Sequence, residues 1–266
     1  MKVIRFADDS GSVGYGSVEE DGTVFRLEGN LFDSPYSTTR VEVAKILSPI
    51  DPPNIFAVAG NYLAHITESG KKLPDVPAEP VIFTKPTTSV IADGDPIVLP
   101  HSAPDEVDFE AELALIVGRR AKKVSPKEAP YFTWGFTIAN DVSARDCQHR
   151  RDKNWTRGKG FDTFCPLGPY AVTADSIDPH ALSIRSIYDN KVMQDGSTAN
   201  MMKDSWDLFS YLSHQFTLLP GTIILTGTPD GVGCHRNPPI FLRPGGTITV
   251  EVEGIGALTN SIVMEE

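Results

Sequence analysis

Short runs of apolar or alternating apolar and polar residues, broken by Asp, Gly and Pro, set the pattern of the chain. Val3-Ile4-Arg5-Phe6, residues 14–18 and residues 23–27 read as strands of a β-meander, separated by Asp/Gly turns. Residues 40–47 are helix-compatible, and Pro49, Pro52 and Pro53 close them. The expected division is a small β-rich N-terminal module, 1–53, and a larger domain, 54–266. In the larger part, residues 55–59 form an apolar strand that runs into Asn61-Tyr62-Leu63-Ala64-His65-Ile66-Thr67-Glu68, a short helix with a stop at Gly70. Residues 79–86, 97–100, 108–117, 131–139, 182–188, 222–226 and 247–252 read as further strands. One longer helix is expected at 204–214, carrying Trp206, Leu208, Phe209, Tyr211 and Leu212. Neither an internal repeat nor a βαβ series is present, so the reading is α+β, mostly β, rather than Rossmann or TIM.

Composition narrows the function classes. The chain has 266 residues, 40% of them hydrophobic and 22% charged, which excludes disordered and collagen-like chains. The formal net charge of −11 repels phosphate backbones and anionic lipid, so no nucleic acid or membrane partner is expected. No apolar run approaches the ~20 residues a bilayer requires, and the start lacks a signal-peptide core, which makes a cytoplasmic protein the expectation. Cys147, Cys165 and Cys234 are widely spaced and frame neither a disulfide network nor a zinc site.

Candidate chemistry begins at Asp108-Phe109-Glu110-Ala111-Glu112. On a continuous strand Asp108, Glu110 and Glu112 share one face, and Ala114 and Ile116 follow on it, so the acids stand where the strand enters a core. Carboxylates about 6 to 7 Å apart there repel unless a cation lies between them. A solvated acidic edge is the competing reading. Asp141 ends the next apolar strand and is a third candidate ligand, with Asp146 as its rival and a turn or capping role as its alternative. An all-oxygen set without His or Cys favours Mg²⁺ or Mn²⁺, with Ca²⁺ also admissible, over zinc. His65 and Glu68, at i,i+3 on a helix, pair an imidazole with a carboxylate that orients it, as a general base requires; a surface pair is the alternative. The basic segment 148–164 suits a small carboxylate-bearing substrate or is a solvated loop. The Gly-rich 226–233 turn can present N–H groups to an anion and lacks the P-loop order.

Taken in order, Asn61–Gly70, Phe83-Thr84-Lys85-Pro86, 107–118, 140–148, 155–169, 219–233 and 238–245 resemble the fumarylacetoacetate hydrolase family, in its acylpyruvate hydrolase and oxaloacetate decarboxylase-like branch. The resemblance implies a mixed β-sandwich roll, a homodimer, and a metal on Glu110, Glu112 and Asp141 under a lid that carries His65 and Glu68. It implies a small 2-oxo or β-diketo acid substrate. It carries catalytic roles to His65, Glu68, Lys159 and Gln148, and substrate contacts to Arg145, Thr228 and Lys85. The activity it implies is metal-dependent C–C hydrolysis of an acylpyruvate-type acid; oxaloacetate decarboxylation or keto–enol tautomerisation needs the same groups, and a non-enzymatic binding protein is the reading from another class. Two departures stand out: Ala59 and Gly60 precede Asn61 where members often have a basic residue and glycine, and Gly160 stands where Ser is common.

Overall fold

The computed structural model describes residues 1–70 and 78–266. Its N-terminal part is a run of antiparallel strands, β1 (Lys2–Ala7), β2 (Val13–Val18), β3 (Val24–Asn30) and β4 (Asp33–Arg40), each paired with the next. Residues 40–47 are not a helix. Val41, Val43 and Ile46 pack on Ile4, Phe6 and Val24, and β5 (Lys45–Leu47) pairs antiparallel with Arg5–Ala7. The β-branched residues at 41 and 43 follow the period of two, and the available strand edge overrides the weak helical signal.

The rest comprises β6 (Ile55–Ala59), α1 (Leu63–Glu68), β7 (Val81–Lys85), β8 (Val90–Ile91), β9 (Ile97–Leu99), β10 (Val107–Asp108), β11 (Ala111–Val117), α2 (Ala129–Phe132), β12 (Thr133–Asn140), β13 (Ser143–Ala144) and α3 (Trp155–Lys159). β14 (Cys165–Thr173), β15 (Ser183–Tyr188), β16 (Lys191–Ser197), α4 (Ser205–Gln215), β17 (Ile223–Leu225), β18 (Thr247–Val252) and β19 (Gly256–Met264) complete it. The main sheet runs β4-β3-β2-β1-β14-β12-β11-β17-β6-β7. Lys2 and Val3 pair with Val172 and Ala171, so the N-terminal strands continue the same hydrogen-bonded sheet. Pro80 and Pro86 flank β7, which ends the order, as prolines without a donor must. A second sheet, β16-β15-β18-β19-β9, packs against the first together with α4, which Asp204 caps by accepting the N–H groups of Trp206 and Asp207.

β11 is the backbone of the core. All seven of its residues are buried. Leu113, Leu115 and Val117 face one cluster with Phe136, Ile184 and Phe209, while Ala114 and Ile116 face another with Ala57, Ile223 and Leu225. Each buried aliphatic side chain of this size contributes about 1.5–3 kcal/mol, so this strand holds whatever stands at its entrance firmly. Residues 108–117 are, however, two strands and not one. Phe109 turns into a third cluster with Leu99, Val107 and Phe164, β10 pairs with β13, and regular pairing with β12 begins at Ala111.

Candidate active site

Seven charged side chains are buried among the described residues, Lys85, Asp108, Glu110, Glu112, Asp141, Arg145 and Lys159, and all seven form one cluster. Glu112 shares a face with Ala114 and Ile116 at the start of β11. Glu110 precedes it, and Asp141 follows the end of the neighbouring β12. The two chain segments are stitched together here: Glu110 N–H donates to Asn140 Oδ1 (3.0 Å) and Asp141 N–H to the Glu110 carbonyl (2.9 Å). Carboxylate oxygens of Glu110, Glu112 and Asp141 consequently lie within 4.8 Å of one another.

The cations around them are unevenly shared. Lys159 Nζ reaches Glu110 (2.7 Å) and Asp141 (2.5 Å), and Lys85 Nζ reaches the other oxygen of Asp141 (2.5 Å). Arg145 bridges Asp108 and Glu110, both at 2.8 Å, and donates to Gln148 Oε1 (3.0 Å). Among the described residues Glu112 has only the Gly227 N–H as a hydrogen-bond partner, at 2.8 Å. Burial, then the charges of Asp141 and Glu110, therefore raise the Glu112 carboxyl well above its ordinary range. Burial works in the same direction on Glu110, but Lys159 and Arg145 outweigh it and hold that carboxyl low. Burial opposes the charge of Lys159, yet Asp141 and Glu110 keep it a cation.

Four acids against three bases leave the fully ionised cluster at −1 in a site withdrawn from water, where an uncompensated charge is expensive. Among the buried polar atoms without a hydrogen-bond partner in the described residues are Asn140 Nδ2, beside Asp141, and the hydroxyl of Tyr62, which lies in the field of Glu112. Three convergent carboxylates, no nitrogen or sulfur donor and orphaned polar atoms at the margin fit a hard divalent cation that keeps part of its water shell. The rival ligand Asp146 stands apart, accepting the Cys147 N–H (2.7 Å) and pairing with Arg151.

The cluster forms the floor of a cavity of about 380 Å³, reached by Glu110, Glu112, Arg145, Gln148, Lys159 and Thr228. His65 lines the same cavity from α1. Its Nδ1 is 2.7 Å from Glu68, whose second oxygen accepts the Gly231 N–H at 2.8 Å. The expected helical i,i+3 pair is thus present and tied to the facing loop. Thr228 sits on the wall, but its hydroxyl donates to the Ala111 carbonyl (2.9 Å) and accepts from Gln194 (2.6 Å), so it braces the strand that bears the acids. Lys85 is placed differently from the substrate contact expected of it. Its side chain is 0% exposed and absent from the cavity wall, because β7 delivers it beneath Asp141.

Three further features explain the local sequence. The Gly-rich turn does present N–H groups to anions, and the anions are the protein's own: Gly227 to Glu112, Gly231 to Glu68 and Gly233 to Asp108, each at 2.8 Å. In the basic segment, Arg150, Arg151 and Arg157 pair outward with Glu106, Asp146 and Asp152, and only Gln148, His149, Trp155 and Lys159 line the cavity. A Cβ on Gly160 would stand 2.5 Å from the Thr156 carbonyl and 2.8 Å from Pro86 Cδ, so the backbone here excludes the Ser common in the family unless it shifts. Sequence reading missed His235, which faces the His65 ring at 5.9 Å between centroids; the loop Cys234–Asn237 carries no pattern that marks it. Asp108 was visible on the acidic face, but its role as the anchor of Arg145 depends on a turn after it that alternation does not show.

Comparison with known proteins shows the family of the chain. A family model described as fumarylacetoacetate (FAA) hydrolase C-terminal matches residues 54–263, and one described as Rv2993c-like, N-terminal, matches 1–49. The human protein named oxaloacetate tautomerase FAHD2A, mitochondrial, is 43% identical over 84% of this chain and 71% of its own. Protein Rv2993c of Mycobacterium tuberculosis is 41% identical over 98% of this chain and 94% of its own. A crystal structure titled 5-carboxymethyl-2-hydroxymuconate delta-isomerase, from Mycobacterium smegmatis, superposes with a TM-score of 0.87 at 40% identity, covering 100% of both chains. With its mostly β architecture, its buried acidic triad and a family match across four fifths of its length, the chain belongs to the fumarylacetoacetate hydrolase family.

Proposed function

We propose that the protein is a divalent-metal-dependent enzyme that interconverts the keto and enol forms of a small 2-oxo acid. One observation carries this reading: a carboxylate-oriented histidine lines the same cavity as Glu110 and Glu112, two members of a three-carboxylate group completed by Asp141 behind them. Mg²⁺ or Mn²⁺ held by Glu110, Glu112 and Asp141 would supply Lewis acidity toward a carboxylate and the adjacent keto oxygen. Such a cation takes the fully ionised cluster from −1 to +1, which then favours an anionic substrate.

Within the chain, Glu68 takes the Nδ1 side of His65 and leaves Nε2 as the proton acceptor. His65 removes a proton from the carbon next to the keto group and a proton is returned to oxygen, so the reaction changes no atom count. Lys159 and Arg145 are fixed cations that hold the Glu110 carboxyl low, and Lys159 also pairs with Asp141; it has one N–H beyond the two engaged by these acids. The name of the human relative supports tautomerisation. A second reading, C–C hydrolysis of an acylpyruvate, uses His65 to take a proton from water, and the cavity volume of about 380 Å³ favours it to the extent that water and a longer acid both fit. Free thiols at Cys147, Cys165 and Cys234 suit a reducing compartment such as the cytosol.

The test follows the enol absorbance of oxaloacetate with protein and Mg²⁺ while a lactate dehydrogenase couple reads pyruvate. Faster loss of enol with no pyruvate is expected. Pyruvate released in step with substrate assigns cleavage or decarboxylation instead, and no acceleration of either overturns the enzymatic reading.

A further inference from the structure

Ala111 is the one residue between Glu110 and Glu112, so the peptides on either side of it set the directions in which two of the three acids leave the backbone. β17 pairs with Ala114–Ile116, and the Thr226 N–H reaches one residue further, to the Leu113 carbonyl (3.2 Å). Gly227, in the left-handed region at φ 94°, then turns the chain away. Ala111 therefore stands beyond that ladder, and side chains complete it. Its N–H donates to Gln194 Oε1 (2.9 Å), and its carbonyl accepts from the Thr228 hydroxyl (2.9 Å), which accepts in turn from Gln194 Nε2 (2.6 Å). Gln194, Thr228 and Ala111 thus close a ring of hydrogen bonds around the residue that separates the acids.

Gln194 is 0% exposed and uses its whole hydrogen-bonding capacity here. Besides the ring, its oxygen accepts from the Ser186 hydroxyl (2.9 Å) and its amide donates to the Pro229 carbonyl (2.8 Å). The strand that carries it, β16, also seats the loop beyond Pro229, because Arg236 joins the carbonyls of Met193 and Gly231, the latter at 3.0 Å. Gly231 is the residue whose N–H holds Glu68, the partner of His65. One strand of the second sheet is therefore tied both to the acids and to the loop that orients the imidazole. A buried amide with all four positions engaged has little freedom, so it transmits a fixed position instead of following its neighbours.

We infer that Gln194 is a positioning residue for the metal site: together with Thr228 it fixes the two peptides that flank Ala111, so that Glu110 and Glu112 converge on one cation. It acts through the backbone. The inference rests on the divalent-metal reading of the acidic group and adds to it the side chains that hold the ligands in register.

Mn²⁺ titration of the full chain, read by electron paramagnetic resonance, tests it independently of turnover, with melting in EDTA to establish that each variant is folded. Gln194→Met and Thr228→Val, which keep side-chain volume and lose the hydrogen bonds, are each expected to weaken Mn²⁺ about 10- to 100-fold. Thr228→Ser keeps the hydroxyl and should restore affinity to within about threefold of wild type. Ser186→Ala removes a bond to the same Gln194 oxygen but leaves both bonds to Ala111 in place, so it too should stay within about threefold. That contrast separates positioning from general loosening of the core, and Thr228→Val carries the test if Gln194→Met does not fold. Affinity close to wild type in Gln194→Met or in Thr228→Val overturns the positioning role and leaves the metal reading standing. Failure of Thr228→Ser to restore binding, or an equal loss in Ser186→Ala, overturns it as well. A wild-type chain that binds no Mn²⁺ overturns the metal reading, and the positioning role with it.

Discussion

Replacing Glu112 by Gln is expected to stabilise the metal-free protein and to abolish its response to metal. Glu112 is 2% exposed, lacks a cationic partner among the described residues and stands within 4.8 Å of two other carboxylates. In the unfolded chain it titrates near its ordinary 4.5; in the fold its carboxyl is held well above that. The sign follows directly. Below the unfolded value both states are protonated and no penalty exists; as pH rises from there toward the folded value, the unfolded state ionises first and stability falls. At pH 7 the penalty cannot exceed about 3 kcal/mol, a ceiling set by the distance of pH 7 from the unfolded value. A Gln side chain keeps an oxygen for the Gly227 N–H and adds a donor toward the neighbouring acids. The variant should therefore gain about 1–3 kcal/mol without metal, or roughly 3–10 °C in melting temperature. Wild type should gain about 2.7 kcal/mol when Mg²⁺ reaches a hundredfold excess over its dissociation constant, and the variant should gain almost nothing. Melting in EDTA and in Mg²⁺ reads both. A variant that melts lower than wild type in EDTA, or that retains the full metal response, refutes the argument.

Three other outcomes follow from the same geometry. His65→Ala should cut turnover about 10²- to 10⁴-fold with metal affinity retained; turnover within a few-fold of wild type removes the imidazole from the chemistry. Metal binding near pH 7 should release protons, because the ion displaces the proton that the raised Glu112 retains, and affinity should climb with pH until that carboxyl ionises unaided. Titration in buffers of different ionisation enthalpy counts the protons, and a pH-independent affinity contradicts the assignment. Lys85→Met leaves Asp141 with Lys159 alone and should cost about 3 kcal/mol or more in the metal-free protein, with Mg²⁺ recovering part of it; an unchanged urea midpoint shows that the pair is not needed.

How much of this was legible depended on whether the deciding force was local. The strands at 55–59, 183–188 and 247–252 and the helix capped by Asp204 follow from period and punctuation, because their apolar faces and caps are their own. β14 was missed because Pro166, Gly168 and Pro169 break its pattern, yet it is held from both sides by β12 and β1. Residues 40–47 were misread for the converse reason, since a partner strand chose the conformation. At the site, Glu110, Glu112 and Asp141 could be named from carboxylates at the ends of apolar strands, and His65 with Glu68 from helical spacing. That Lys85 lies beneath Asp141 and that Thr228 is a brace are facts of tertiary approach. No spacing along the chain encodes them.

The central claim is that the buried acidic group is a divalent-cation site on which turnover depends. A Mn²⁺ titration followed by electron paramagnetic resonance tests it most directly, run on wild type and on the folded Glu110→Gln/Glu112→Gln double variant, with oxaloacetate enol decay measured on the same samples. The account predicts one tightly held ion per chain in wild type, and loss of both the ion and the enol decay in the variant. Wild type without a bound ion, or a variant that keeps both, would contradict it.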